Sequence, residues 1–143
     1  MQYVYAASLE PDPDGGFVVT FPDVPEAITH GQDRAEAIAS ASEALGLALR
    51  GVLLDERPLP QPRTTGEGLV PVAVSPETAL KLAVIEAFRE ADISKSELAR
   101  RLGRIETEAR RILDPDHATG LSLLKSALAA LGKTVIIEVR NAA

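Results

Sequence analysis

The chain has 143 residues, of which 45% are apolar and 25% charged; this composition predicts folded domains and excludes a disordered chain. It contains no cysteine, which excludes disulfides, zinc–thiolate centres and thiol nucleophiles. Residues 1–74 carry 11 acids and 4 bases, a net charge of −7, whereas residues 75–143 carry 10 acids and 11 bases, a net charge of +1. The acidic half favours a basic partner, and the other half tolerates a polyanion.

The first half predicts a small sheet with one helix, in the order β-β-β-α-β. Its strands are predicted over residues 3–10, 17–21, 27–29 and 69–74. The segment 11–16 is rich in turn residues and closes a hairpin. Asp33 and Glu36 form a capping pair at the start of a helix over residues 34–54. Pro71 predicts an edge position for the last strand, so residues 1–74 are interpreted as an α+β domain.

The second half, residues 75–143, predicts an all-α domain followed by a strand. Its helices are predicted over residues 76–91, 95–103, 106–113 and 119–131. Ser75 and Pro76 suit the start of the first helix, and the S-x-x-E box from Ser94 begins the second. The tail, residues 134–140, reads "TVIIEVR" and predicts a strand.

The two short helices have helix-turn-helix patterning. Ala99 allows close approach of the second helix, and Gly103 allows the left-handed backbone of the turn. In such a unit the second helix enters the major groove of DNA. The candidate DNA-binding residues are Arg100, Arg101, Arg104, Glu106, Thr107, Arg110 and Arg111. The alternative is a helical bundle whose arginines only solvate one face.

The tail strand predicts a homodimer. An exposed apolar strand without a neighbour has unpaired backbone groups and favours association. Pairing with the same strand of a second copy would satisfy these groups. The residues expected to form this contact are Val135, Ile136, Ile137 and Val139. The alternative is that the tail adds to the sheet of its own chain.

The sequence favours neither catalysis nor a cofactor. His30 and His117 lie in different predicted domains, so a shared metal is not expected. Asp12, Asp14 and Asp23 leave open a metal-dependent nuclease, although acids are common in turns for local hydrogen bonding. No stretch approaches ~18 apolar residues and no basic leader precedes the first strand, so we expect a cytoplasmic protein without a membrane partner.

Both halves resemble HicB-type antitoxins of HicA–HicB toxin–antitoxin modules. The resemblance depends on "GGFVVTFPDVPEAITHGQDRAEAIASASEAL" in the first half and on "SELARRLG", "RILDPDHAT" and "ALAALGKTVIIEV" in the second. It implies that the first domain is a truncated ribonuclease-H-like fold without catalysis, which covers the active site of a HicA-type mRNA-cleaving ribonuclease. It implies that the second domain dimerises and represses the module's own operator, alone or in a larger assembly with the toxin.

Given this resemblance, the F-P-D-V-P segment is the predicted toxin contact. Prolines stiffen the segment, so little entropy is lost when a partner docks. The predicted residues are Phe21, Pro22, Asp23, Val24 and Pro25. The alternative is that Phe21 and Val24 are core residues of a rigid turn, and both interpretations are compatible. A different function also stays open: a stand-alone repressor whose first domain senses a small ligand.

Overall fold

The computed structural model describes residues 1–142, which divide into two compact units, residues 1–75 and 76–142. The N-terminal unit has four strands and one helix. These are β1 (Val4–Pro11), β2 (Phe17–Thr20), β3 (Ile28–Gly31), α1 (Arg34–Leu54) and β4 (Val70–Ala73). The chain is therefore an α+β protein, and the strands lie within one or two residues of their predicted positions.

The four strands form an antiparallel sheet in the order β3-β2-β1-β4. The hairpin of β1 and β2 pairs Ser8 with Thr20, and β4 pairs its Pro71 with Ala6 on the other side of β1. The predicted edge position of β4 is confirmed, because β1 is its one neighbour in the described sheet. Proline is tolerated there because the outer side of an edge strand needs no ladder hydrogen bond.

Helix α1 begins as the sequence predicts and covers one face of the sheet. The carboxylate of Asp33 accepts a hydrogen bond from the Glu36 backbone N–H at 2.8 Å, which satisfies a donor that the helix cannot pair. Small residues permit a close approach: a Cβ on Gly31 of β3 would lie 2.2 Å from the Ala37 nitrogen. The core between helix and sheet contains Tyr5, Ala7, Val19, Ala41, Leu45, Leu49 and Val72.

By length and composition alone, α1 is long and apolar enough to cross a membrane. This corrects the expectation that no stretch approaches that length. A core helix passes the same test, and the apolar stripe of α1 is buried at Ala37, Ala41, Leu45 and Leu49.

The C-terminal unit consists of four helices. These are α2 (Pro76–Ala91), α3 (Lys95–Leu102), α4 (Glu106–Ile112) and α5 (Leu121–Ala130). Helices α2 and α5 pack together, and α3 packs against both α4 and α5. Leu82, Val84, Leu98, Ile112 and Leu124 are buried in this unit.

Two features of the C-terminal unit differ from the predictions. Helix α5 begins at Leu121 rather than at residue 119, and the Leu121 side chain is 60% exposed. The Thr119 hydroxyl accepts a hydrogen bond from Lys81 and so belongs to the connection before the helix.

Residues 134–142 form no strand within the chain, so the predicted tail strand is wrong for a single copy. A strand needs a neighbour for its ladder, and the described sheet contains no tail residue.

Candidate functional sites

The F-P-D-V-P segment, residues 21–25, forms a rigid ledge between β2 and β3. Two consecutive turns shape it, in which the Val24 N–H donates to the Phe21 carbonyl at 3.1 Å and the Ala27 N–H donates to the Val24 carbonyl at 3.0 Å. Phe21 and Val24 are buried, whereas Pro22 and Pro25 are exposed. The core interpretation of Phe21 and Val24 is therefore correct, and these two side chains support the ledge from beneath. Contact between the ledge and a partner stays a prediction.

Asp23 fastens the ledge to the loop over residues 55–69. One carboxylate oxygen accepts from the backbone N–H groups of Arg63 and Thr64 at 3.0 and 2.8 Å, and the other accepts from the Thr64 hydroxyl at 2.6 Å. The Thr64 hydroxyl and backbone bonds hold the pKa of Asp23 below its usual value, with a smaller contribution from Arg63. The sequence gives no sign of this clamp, because its partners are 40 and 41 residues apart along the chain.

Two further contacts hold the same loop. The Tyr5 hydroxyl donates to the Pro60 carbonyl at 2.6 Å, and Leu59 is buried. The loop is therefore anchored to β1 and to the ledge, although it has no regular secondary structure. Its Gln61, Arg63 and Thr65 are exposed, as are Pro22 and Pro25 of the ledge.

The acids considered for metal-dependent hydrolysis make structural hydrogen bonds. Asp12 accepts the Asp14 backbone N–H at 2.9 Å within the hairpin turn, as the composition of that turn predicts. Asp23 is occupied by the clamp. Within residues 1–142 no group of three or more histidine, cysteine or acidic side chains is placed to hold a metal ion. The nuclease alternative therefore has no metal site in the described residues.

Helices α3 and α4 form a tightly packed pair joined by a short turn. The Ser94 hydroxyl accepts the Glu97 backbone N–H at 3.0 Å, and Gly103 ends α3 in the left-handed conformation at φ 65°. Leu98, Ala99, Ala109 and Ile112 are buried between neighbouring helices, and Leu102 is half-buried. These short helices depend on this packing because isolated helices of seven or eight residues are marginal in water.

Acids within the α3–α4 pair neutralise most of its arginines. Glu97 pairs with Arg100 at 2.6 Å and with Arg101 at 3.0 Å, and the hydrogen bonds from Arg100 and then from Arg101 lower the pKa of Glu97 to about 2. The other pairs are Arg104 with Glu108 at 3.5 Å and Arg110 with Glu106 at 2.8 Å. Hydrogen bonds from Arg110 and then from Ser96, at 3.1 Å, hold the pKa of Glu106 below its usual value.

Arg111 differs from the other arginines of the pair. Its side chain is exposed and makes no ion pair with any residue in the described range 1–142. Thr107 is also exposed on α4, and so is Ile105, which begins that helix without a side-chain cap. The α3–α4 surface therefore combines ion-paired arginines with one arginine available to a phosphate or a base edge.

Comparison with known proteins identifies the family. Residues 4–83 match the family described as HicB-like antitoxin of bacterial toxin–antitoxin system. This chain belongs to that family. The match covers the complete sheet, α1 and the first half of α2.

Curated HicB antitoxins resemble the chain beyond the family match. Antitoxin HicB of Escherichia coli (strain K12) is 37% identical over 90% of this chain and 94% of its own length. Antitoxin HicB 2 of Photorhabdus laumondii is 40% identical over 90% of this chain and 91% of its own length, and Antitoxin HicB 1 of the same organism is 34% identical over 94% and 86%. Helices α3 and α4 lie more than a tenth of the chain from either end, so these alignments run through the α3–α4 pair.

Proposed function

We propose that this HicB-like protein is an antitoxin that binds and blocks a HicA-type ribonuclease with its N-terminal unit and represses its own operon with its C-terminal unit. The observation that carries the proposal is the extent of similarity to proteins named HicB antitoxins, which spans both units. In this proposal the sheet and α1 are the truncated ribonuclease-H-like part, and the α3–α4 pair is the helix-turn-helix.

Rigidity and charge support toxin binding by the N-terminal unit. The ledge presents Pro22 and Pro25 on a turn that Asp23 clamps, so docking costs little conformational entropy. The net charge of −7 on residues 1–74 favours encounter with a basic ribonuclease. Phe21 and Val24 contribute by holding the ledge from the core side.

The geometry of the α3–α4 pair supports DNA binding. Its buried seam fixes α4 with Thr107, Arg110 and Arg111 on the exposed side, and arginine can bind a guanine edge through two hydrogen bonds. Arg100, Arg101 and Arg104 lie on and just after α3, where they can reach phosphates. Glu106 holds Arg110 in place at 2.8 Å, so an acid at the start of α4 is compatible with base recognition.

The exposed tail supports a homodimer. Ile136, Ile137 and Val139 are 89%, 75% and 91% exposed in the single chain, which is costly for side chains of this type. The same segment of a second copy would give each tail a ladder partner. Two copies would also place two helix-turn-helix units on the half-sites of a palindromic operator.

Growth rescue tests the antitoxin role. The proposal predicts a reading frame for a HicA-type ribonuclease beside this gene, and the test expresses that ribonuclease from an inducible promoter, with and without this chain from a second promoter. We expect growth arrest by the toxin alone, rescue by co-expression, and recovery of both proteins in one complex of measured mass. Continued arrest at comparable expression, with no complex on purification, would contradict the proposal.

A gel shift with the DNA upstream of the gene tests repression. If Arg110 reads a base, Arg110→Ala weakens binding by about 1–3 kcal/mol. Lys125→Ala is the matched control because Lys125 is an exposed cation on α5, outside the α3–α4 pair. Equal shifts for wild type, both variants and a scrambled duplex would contradict sequence-specific binding.

A further inference from the structure

Lys81 is a buried cation that neither the proposed toxin contact nor the proposed DNA contact uses directly. It lies on α2 with 5% of its surface exposed. Its ammonium group donates to the Thr119 hydroxyl at 2.6 Å, to the Ile112 carbonyl at 2.8 Å and to the Arg111 carbonyl at 3.3 Å. An ammonium has three donors, so these three acceptors use all of them.

Helix α4 is short, and its C-terminal end is held by Lys81 together with two backbone hydrogen bonds, from the Leu113 N–H to the Ala109 carbonyl at 3.1 Å and from the Asp114 N–H to the Arg111 carbonyl at 3.2 Å. It has seven residues, and its N-terminal cap residue Ile105 makes no side-chain hydrogen bond. The last carbonyls of any helix lack intrahelical partners, and two of those in α4 are the ones that Lys81 binds. A cation at this position also interacts favourably with the helix dipole.

We infer that Lys81 is a positioning residue for DNA recognition, whose ammonium fixes the C-terminal end of α4 and thereby the direction of Arg110 and Arg111. The inference rests on the proposed DNA binding. The backbone that Lys81 holds is that of Arg111 itself and of the residue after it, so the anchor acts directly at the arginine that has no ion pair among the described residues.

A purely stabilising role for Lys81 is the competing explanation, and the energetics disfavour it. Burial lowers the pKa of Lys81 to about 8, and nearby Asp114 opposes this only in part. Lys81 is therefore charged at neutral pH although its burial costs desolvation free energy. A well-packed apolar side chain at such a position often stabilises a protein equally well. What an apolar side chain cannot do is bind two carbonyls and a hydroxyl in one fixed geometry.

The ratio of operator affinity to scrambled-duplex affinity tests the inference. Non-specific affinity depends mainly on phosphate contacts, whereas operator preference requires correctly directed base contacts. The probes are the duplex upstream of the gene and a scrambled duplex of the same composition. Lys81→Met is compared with Val84→Ala, which damages packing at a fully buried position of the same helix. Both proteins are measured at a temperature where circular dichroism shows them folded.

We expect Lys81→Met to lower the operator preference by about tenfold, the loss of roughly one base contact, and Val84→Ala to leave it unchanged. An unchanged preference for folded Lys81→Met would overturn the inference. If Lys81→Met does not fold, Thr119→Val removes one acceptor at a half-buried site, and the preference should fall in the same direction.

Failure of the proposed repression is distinguishable from failure of this inference. If wild-type protein itself shows no operator preference, repression is wrong, and amide hydrogen exchange then decides the role of Lys81. Faster exchange confined to α4 in Lys81→Met supports the positioning role. Exchange in α4 that matches wild type overturns it.

Discussion

At the scale of single residues, Asp23 shows how a predicted contact can act through another part of the chain. It lies in the segment expected to meet a toxin, and its carboxylate is bound by Arg63 and Thr64 of the loop over residues 55–69. The ledge and the loop are therefore one rigid feature. If a variant at Asp23 loses toxin binding, the loop over residues 55–69 must first be shown to keep its structure. Only then does the loss indicate a direct contact between Asp23 and the toxin.

Asp23→Ala should destabilise the N-terminal unit by about 1–2 kcal/mol, because three hydrogen bonds to one partly exposed carboxylate are lost. The measurement is urea unfolding at pH 7. Asp14→Ala is the control, since it removes the same charge from an exposed turn. Because the folded pKa of Asp23 lies below its unfolded value, its contribution is present above the unfolded pKa and disappears as pH falls through the folded pKa. The two variants should therefore converge in acid, and a constant difference would contradict this account.

The lowered pKa of Lys81 predicts that the C-terminal unit becomes more stable in mild alkali. Its folded pKa of about 8 lies below the unfolded value of 10.5, so between these values the unfolded chain binds more protons. The free energy of unfolding should then rise with pH, by at most about 1.4 kcal/mol per pH unit. Urea unfolding at several pH values across this window measures the slope. Lys81→Met should abolish it, and the same slope in that variant would assign the effect to another group.

At the scale of secondary structure, the sequence predicts elements well where local chemistry decides them. Asp33 and Ser94 cap α1 and α3, and Gly103 ends α3, because capping depends only on residues three or four apart. The prediction is wrong at Thr119 and at the tail, where the deciding partner is distant or is absent from the single chain. For the same reason, the Asp23 clamp and the Lys81 anchor could not be predicted from local patterns.

The close approach of α1 and β3 predicts opposite effects at two glycines. Gly31→Ala would place a Cβ 2.2 Å from the Ala37 nitrogen, so we expect a loss of about 1–3 kcal/mol from overpacking. Gly51→Ala adds a methyl inside α1 where nothing lies within 4 Å, so we expect a gain of about 0.5–1 kcal/mol. Thermal unfolding of both variants checks the pair. A stable Gly31→Ala protein would mean that α1 can move away from the sheet at little cost.

At the scale of the whole molecule, self-association should depend on the tail. Ile137→Asp places a charge in the exposed apolar tail and should shift the protein toward monomer, because a buried unpaired carboxylate opposes tail pairing. Ile28→Asp is the control, since Ile28 is similarly exposed, at 64%, but lies in β3 of the N-terminal unit. Sedimentation over a range of concentrations gives the mass. Dimers that survive Ile137→Asp would place the interface elsewhere.

The acid partners of the arginines should affect how DNA affinity depends on ionic strength. Four arginines of the α3–α4 pair already contact glutamates, so a duplex that engages them displaces protein carboxylates as well as dissolved cations. Fewer counterions are then released than the number of arginines suggests, and the logarithm of affinity should fall less steeply with the logarithm of potassium concentration. If the proposed repression holds, promoter occupancy should fall less during an osmotic shock than that of a repressor whose DNA-facing arginines have no acid partners.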